Sequence, residues 1–216
     1  MNKQSAALVI VLIVAVMQCG IAQTVHQLPF ASSGNIIELT VANTATTPLT
    51  GVVVEATDVP PWLKIAETKQ RIALIKAQQE MLAMFKFAVD KTAPVQQSHT
   101  LNFVITTPTG EKWTKAITLA VAPPEKFEAY QNFPNPFNPA TAISYQLAGV
   151  SRVSLKIYNL LGQEVASLVD GDRLAGYHQE TWDATRYASG VYVYQLIATD
   201  AHGWSPVARK RMLLLK

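Results

Sequence analysis

The residue types that perform catalysis stand apart from one another in this sequence. No Gly-x-Ser-x-Gly motif is present to place a nucleophilic serine on a sharp turn. No His-Glu-x-x-His pair is available for zinc, and no glycine-rich phosphate-binding loop occurs. The histidines are isolated: His26, His99, His178 and His202. The residues therefore predict a protein that is not an enzyme and that has no cofactor and no metal site.

Two acidic pairs are the remaining candidates for metal binding or acid–base chemistry. Asp170 and Asp172 flank Gly171, and their oxygens could bind calcium. The same residue types suit a solvated hairpin tip, which is the interpretation we favour. Glu55 and Asp58 are typical of a solvated strand end, since no neighbour would tune their pKa values for acid–base chemistry. A small hydrolase would need clustered carboxylates in a cleft of the first domain.

The tryptophans are the remaining candidates for ligand contact. Trp62 follows two prolines and Trp204 lies in a predicted loop, so both are candidates for stacking against sugar rings. Trp113 and Trp182 lie on apolar strand faces and are expected in the core. Packing is the alternative for all four. Exposed, coplanar Trp62 and Trp204 would favour a carbohydrate-binding accessory module that works with a separate glycoside hydrolase, with surface polysaccharide as partner.

Composition narrows the class of protein. The chain has 216 residues, of which 49% are hydrophobic and 15% charged, with a net charge of +3. Disordered chains combine low hydrophobicity with high net charge, so this chain should fold. No block of lysine and arginine is present, which argues against a nucleic-acid partner.

Residues 1–22 are predicted to be a signal peptide. Lys3 precedes an unbroken apolar run from Ala6 to Met17, and the small residues Gly20 and Ala22 suit a cleavage site. The run is shorter than the roughly 20 residues that span a bilayer, so a retained anchor is the weaker alternative. The mature chain should then have no stable transmembrane helix.

Lipidation is the other alternative for the N-terminus. Cys19 would be the lipidated residue, but Gln18 before it is larger than the usual neighbour. Cleavage after Ala22 would remove this cysteine, the only one in the chain. The mature protein would then fold without disulfides and would depend on core burial for its stability.

Apolar and polar residues alternate with a period of two along most of the chain, which predicts strands with one buried face. The clearest apolar triplets are Ile37, Leu39 and Val41; Phe85, Phe87 and Val89; Leu101, Phe103 and Ile105; and Val153, Leu155 and Ile157. Residues 67–84 contain good helix formers, so a short helix stays open there, although the neighbouring pattern favours strand, loop, strand.

These strands predict an all-β fold of two tandem immunoglobulin-like β-sandwich domains. The first covers residues 23–122 and the second covers residues 127–216. A proline-containing linker, residues 123–126, separates them, because two successive prolines end the preceding strand. The second domain opens with the proline-rich loop at residues 132–139, whose two phenylalanines are expected to hold it to the sandwich.

The second domain can be compared with a known family through five motifs. They are NFPNPFNPAT at 132–141, VSLKIYNLLGQEVASLVDG at 153–171, AGYHQETWDA at 175–184, ASGVYVYQL at 188–196 and the terminal KRMLLLK. In this order they closely resemble the C-terminal sorting domain of type IX secretion substrates, and they are similar to the immunoglobulin-like domain of the flagellar hook-capping protein.

The resemblance implies an address for export. Such domains carry passenger proteins across the outer membrane, so the partner would be the secretion machinery of that membrane. The protein would be secreted or attached to the cell surface, via the periplasm of a Gram-negative-type bacterium. The residues implied as the sorting motif are Asn132, Pro134, Asn135, Pro136, Phe137, Asn138, Pro139, Gly190, Tyr192, Tyr194, Met212, Leu213, Leu215 and Lys216.

The first domain has a resemblance of its own. Within residues 30–122, the segments VANTATTPLTGVVVEATDVPPWLKI, FKFAV and WTKAITLAV look like the immunoglobulin-like domain found beside catalytic domains of alpha-galactosidases. We expect a non-catalytic adhesion, spacer or binding domain.

The last strand allows two interpretations. Met212 and Leu214 would complete the core, whereas Leu213 and Leu215 point outward and have no core role. An apolar strand at a sheet edge could also pair with a receptor edge.

Overall fold

The computed structural model describes residues 7–10 and 24–216, and over these residues the chain forms strands joined by turns and loops, with no helix. The predicted all-β, immunoglobulin-like sandwich fold is confirmed. The chain divides into two compact units, Met1–Ala122 and Pro123–Lys216. Over the same residues, nothing has the length and hydropathy of a helix that crosses a membrane.

The first unit contains nine strands in its described residues: β1 (Ala7–Ile10), β2 (Val25–Leu28), β3 (Asn35–Ala42), β4 (Leu49–Thr57), β5 (Leu63–Ile65), β6 (Lys69–Ile75), β7 (Glu80–Val89), β8 (Ser98–Thr106) and β9 (Lys112–Val121). One sheet has the order β1-β3-β7-β5 and the other has the order β2-β9-β8-β4-β6. Their inner faces form one apolar core, in which the Phe85 and Phe103 rings lie 5.0 Å apart.

The segment with helix formers is built from two strands. β6 ends at Ile75 and β7 begins at Glu80, and the two belong to different sheets. The turn between them closes through a 3.2 Å hydrogen bond from the Gln79 amide to the Lys76 carbonyl. Alternating burial of Ala83, Phe85 and the following β7 residues outweighs local helix propensity, so the favoured strand, loop, strand interpretation is confirmed.

The predicted signal peptide stays a prediction. Within it, the structure describes only β1, which runs parallel to β3 with Ala7 opposite Ile36. The proposed cleavage site after Ala22 and the candidate lipidation site at Cys19 lie outside the described residues.

The second unit contains seven strands: β10 (Glu128–Ala129), β11 (Ala140–Leu147), β12 (Ser151–Asn159), β13 (Glu164–Arg173), β14 (Gly176–Asp183), β15 (Gly190–Asp200) and β16 (Val207–Leu214). One sheet has the order β10-β11-β14 and the other has the order β13-β12-β15-β16. Four aromatic rings fill one end of the core between the sheets, with neighbouring ring centroids 5.1–6.3 Å apart: Phe137, Trp182, Tyr187 and Tyr192.

The acidic pair of the second unit lies in a strand, which corrects the prediction of a hairpin tip. Asp170 and Asp172 belong to β13 and pair with Ser154 and Arg152 of β12. The Arg152 guanidinium donates a 2.9 Å hydrogen bond to an Asp170 carboxylate oxygen. Exposed strand ends tolerate aspartate and glycine, which is why composition alone suggested a turn. In the described chain no cluster of three or more acidic, histidine or cysteine side chains could hold a metal ion.

Candidate functional site

The proline-rich loop, residues 132–139, lies along the outer edge of the last strand. The Leu213 amide donates a 2.9 Å hydrogen bond to Asn135 Oδ1. The Phe137 amide donates to the Leu213 carbonyl at 3.0 Å, and the Leu215 amide donates to the Phe137 carbonyl at 3.0 Å. Phe137 thus forms a parallel bridge with Leu214. The loop therefore acts as a short extra strand beside β16.

Contacts with Arg211 extend this edge. Gln131 Nε2 donates to the Arg211 carbonyl at 2.8 Å, and Asn135 Nδ2 donates weakly to the same oxygen at 3.4 Å. Backbone groups that a receptor strand would need between Arg211 and Leu215 are bonded within the unit. This corrects the expectation that the last strand offers an open edge over those residues.

Asn132 fixes the loop from inside. It is 2% exposed, and its Nδ2 donates to Thr141 Oγ1 at 2.9 Å and to the Pro134 carbonyl at 3.1 Å. The Thr141 hydroxyl donates to the same carbonyl at 2.7 Å. These bonds satisfy groups that prolines leave without backbone donors. The peptide bonds that precede Pro134, Pro136 and Pro139 are cis.

The two phenylalanines of the loop behave differently, which corrects the expectation that both hold it down. Phe137 is 2% exposed, and its ring lies 5.5 Å from that of Trp182. Phe133 is 80% exposed. One aromatic side chain therefore anchors the loop in the core, while the other faces solvent.

Pro136, Asn138 and Pro139 are exposed positions of the motif. The Pro139 carbonyl accepts a 2.9 Å hydrogen bond from the Ala184 amide, which ties the loop to the end of β14. The side chains of Pro136 and Asn138 face solvent, so they are available to a partner.

The tyrosines of the predicted motif belong to the core. Tyr192 and Tyr194 are 7% and 0% exposed, and both lie on the inner face of β15, which begins at Gly190. The Tyr192 hydroxyl donates to the Ala188 carbonyl at 2.8 Å, and the Tyr194 hydroxyl donates to the Tyr130 carbonyl. Burial raises the pKa of Tyr194. These side chains are therefore part of the core of the second unit.

The end of the chain is partly buried and partly exposed. Met212 and Leu214 are 1% and 0% exposed and fill the core, whereas Leu215 is 50% exposed. The Lys216 amide donates to Ser189 Oγ at 3.0 Å, and Lys216 Nζ donates to the Thr185 carbonyl at 2.6 Å.

The structure separates the two candidate tryptophans. Trp62 is 7% exposed and meets His99 edge-on at 5.0 Å, which corrects the expectation of an exposed loop position. Trp204 is 60% exposed, beside an open cavity of about 400 Å³. Asp200 Oδ1 fixes its loop by accepting hydrogen bonds from the His202 and Trp204 amides at 2.8 and 2.9 Å. Of these two tryptophans, Trp204 alone has a solvent-facing ring.

The hydrogen-bonding role of Gln131 was not predicted from sequence. Gln131 precedes the proline-rich loop, and a glutamine at this position gives no sequence signal that it bonds to the edge of a strand. Only the register that places Arg211 beside it shows why an amide side chain is useful there.

Comparison with known proteins identifies the second unit. Residues 131–203 match the family described as Secretion system C-terminal sorting domain. A search of curated proteins finds no match. Among solved structures, CopC from Methylosinus trichosporium OB3b is similar at 16% identity, over 41% of this chain and 93% of CopC, with a TM-score of 0.32.

Two further solved structures are similar at low identity. Dimeric latent PorU from Porphyromonas gingivalis has 13% identity over 87% of this chain and 19% of its own, with a TM-score of 0.35. The YadV chaperone has 11% identity over 88% of this chain and 98% of its own, with a TM-score of 0.32. These likenesses carry no functional argument, and the resemblance of the first unit to the alpha-galactosidase-associated domain stays a prediction. The family match shows that the C-terminal unit of this protein carries a type IX secretion system C-terminal sorting domain.

Proposed function

We propose that this protein is an exported, non-catalytic protein whose second unit delivers it through the type IX machinery to the cell surface or the medium. The signal peptide would bring the chain to the periplasm, where the second unit folds and is recognised by outer-membrane components. The observation that carries the proposal is the family match at residues 131–203. The mechanism is binding of a folded label, with no chemical step.

The covered edge of β16 supports recognition of a folded domain. Five hydrogen bonds between residues 131–137 and residues 211–215 hold the loop and the last strand together. A partner would then read side chains such as Leu213, Leu215 and Asn138, and would not add a strand over residues 211–215. A preorganised surface loses little conformational entropy on binding.

The first unit is proposed as an adhesion, spacer or binding domain. A cavity of about 240 Å³ opens at one end of its sandwich. Most of the side chains that line it are apolar, and Glu111 and Asn43 are among the polar ones. Trp113 contributes an aromatic wall. Ligand sites share this mostly apolar lining with a few polar groups, and they usually begin at about 300 Å³, so this cavity would suit only a small ligand. The carbohydrate-binding alternative retains only Trp204, because Trp62 is buried.

Deletion of residues 209–216 tests the delivery proposal. We expect the truncated protein to stay in the periplasm, because the deletion removes most of β16 and the groups that the proline-rich loop binds. The measurement is mass spectrometry of the culture medium, cell envelope and periplasm, in a type IX-competent host. A matched variant that lacks residues 24–122 should still be delivered. Normal surface delivery of the truncated protein would contradict the proposal.

A further inference from the structure

Two leucines project from the hairpin between β12 and β13. Leu160 and Leu161 are 72% and 84% exposed, and we call them the leucine tip. They follow Asn159, the last residue of β12, and precede Gly162. Large apolar side chains at this exposure gain nothing from the unit's own core. A contiguous exposed apolar surface of this kind commonly marks an interaction site.

The turn that carries the leucine tip is rigid. Asn159 Oδ1 accepts hydrogen bonds from the Leu161 and Gln163 amides, both at 3.0 Å. The Asn159 amide donates to the Gln163 carbonyl at 3.0 Å, and the Gly162 amide donates to the Asn159 carbonyl at 3.0 Å. Gly162 has a φ of 79°, which favours glycine. The backbone of the leucine tip is therefore ordered before any partner arrives, which reduces the entropy cost of binding.

The leucine tip lies at the same end of the sandwich as the end of β16. Asn159 is opposite Tyr192 across β12 and β15, and Gly190 is opposite Leu214 across β15 and β16. Because β12, β15 and β16 are neighbours, two strand spacings of about 4.8 Å separate the first from the last. One partner surface could therefore contact both the leucine tip and the exposed Leu215.

Within the hairpin, the charged side chains nearest the leucine tip compensate each other. Lys156 Nζ lies 2.8 Å from a Glu164 carboxylate oxygen, so the two nearest charged side chains of the hairpin form an ion pair. The other side chains of the turn, those of Asn159 and Gln163, are uncharged and bond to each other at 2.8 Å. Attraction to an anionic lipid surface needs unpaired basic side chains. Two exposed leucines on an ordered turn without unpaired charge match an apolar cleft on a protein.

We propose that the leucine tip inserts into an apolar cleft of a protein component of the secretion apparatus and is a principal contact of the sorting domain. This inference rests on the proposed function and adds to it the surface that is read. A few central, fully desolvated side chains usually account for most of the binding energy of an interface.

The experiment compares two sets of exposed leucines in the full-length protein. The test variant is Leu160→Asn with Leu161→Asn, and Leu161→Asn alone is the second variant. The control is Leu174→Asn, since Leu174 is 69% exposed in the loop between β13 and β14. That loop is at the opposite end of the sandwich, where Ser151 pairs with Arg173. The readout is the fraction of protein delivered to the surface and medium, with melting temperature as the test of folding.

We expect the double variant to melt like the wild type and its delivered fraction to fall about tenfold, as for loss of a dominant contact. The single variant should show a smaller loss, and the control should be delivered normally. Normal delivery of a folded double variant would overturn the inference. An equal defect in the control would also overturn it.

Two further comparisons test the leucine tip separately from the proposed function. If the deletion of residues 209–216 blocks delivery while the folded double variant passes, the leucine tip is refuted and the proposed function stands. Delivery of the deletion variant would refute the proposed function itself. Binding of wild-type protein to vesicles of phosphatidylethanolamine and phosphatidylglycerol, lost in the double variant, would overturn the protein cleft in favour of a membrane contact.

Discussion

Replacing the two phenylalanines of the proline-rich loop by alanine, one at a time, should change the free energy of unfolding by very different amounts. Phe137 is 2% exposed and packs on Trp182, so Phe137→Ala leaves a cavity in the core. Substitutions of this kind cost about 3–5 kcal/mol. Phe133 is 80% exposed, and Phe133→Ala should change the free energy of unfolding by less than about 0.5 kcal/mol. The two variants remove the same atoms from the same loop, which makes them a matched pair.

The assay for this pair is thermal and urea unfolding of the mature chain, followed by tryptophan fluorescence and by near-ultraviolet circular dichroism. A domain of this size melts roughly 4–8 °C lower for each kcal/mol lost, so Phe137→Ala should lower the melting temperature of the second unit by more than about 12 °C. Hydrogen exchange gives a local readout. The Leu213 and Leu215 amides should exchange faster in Phe137→Ala, because both bond to the loop.

Comparison of the two variants tests whether Phe137 anchors the loop. If both variants melted at the same temperature, the loop would not be anchored through Phe137. Unchanged exchange at Leu213 and Leu215 in a destabilised Phe137→Ala variant would show that the loop does not hold the last strand.

Two other predictions concern single polar groups. Asn135→Ala removes the acceptor of the Leu213 amide and should lower the free energy of unfolding in urea by about 1 kcal/mol. Asn138→Ala, at an exposed position, should leave it unchanged, and equal effects of the two substitutions would contradict the role of Asn135. Burial raises the pKa of Tyr145 to about 12, with a smaller contribution from the charge of Glu180. Above its ordinary pKa, about 10, the unfolded chain loses this proton before the folded chain does, so stability should fall as the pH rises from about 10 to 12. Tyr145→Phe should reduce that loss by about 1–2 kcal/mol after allowance for solvent screening. The measurement is the urea midpoint at neutral and at alkaline pH, and an unchanged loss would show that the Tyr145 phenol is not its source.

The strands could be predicted from the sequence because burial repeats with the period of the backbone. Phe85, Phe87 and Val89 alternate with polar or small residues, and the same residues line the core. The sorting motif could be recognised for a related reason, since its spacing reflects positions that this core requires. Tyr192, Tyr194 and Met212 are examples, because these motif residues are core residues in the structure.

Contacts between distant segments could not be predicted. Asn135 and Leu213 are 78 residues apart, and no local pattern shows that one covers the backbone of the other. Trp62 follows Pro60 and Pro61, which suggested an exposed loop, but β5 begins at Leu63 and the ring is drawn into the core with His99. In both cases the decisive information is the path of the backbone through space.

The bonds between residues 131–137 and 211–215 have a consequence for the order of folding. Synthesis from the N-terminus produces the proline-rich loop well before the strand that the loop must bind. Until residue 215 has been made, the edge of β15 and the core position of Phe137 stay uncovered. A copy whose synthesis stopped before Arg211 would therefore lack the groups that close this side of the sheet.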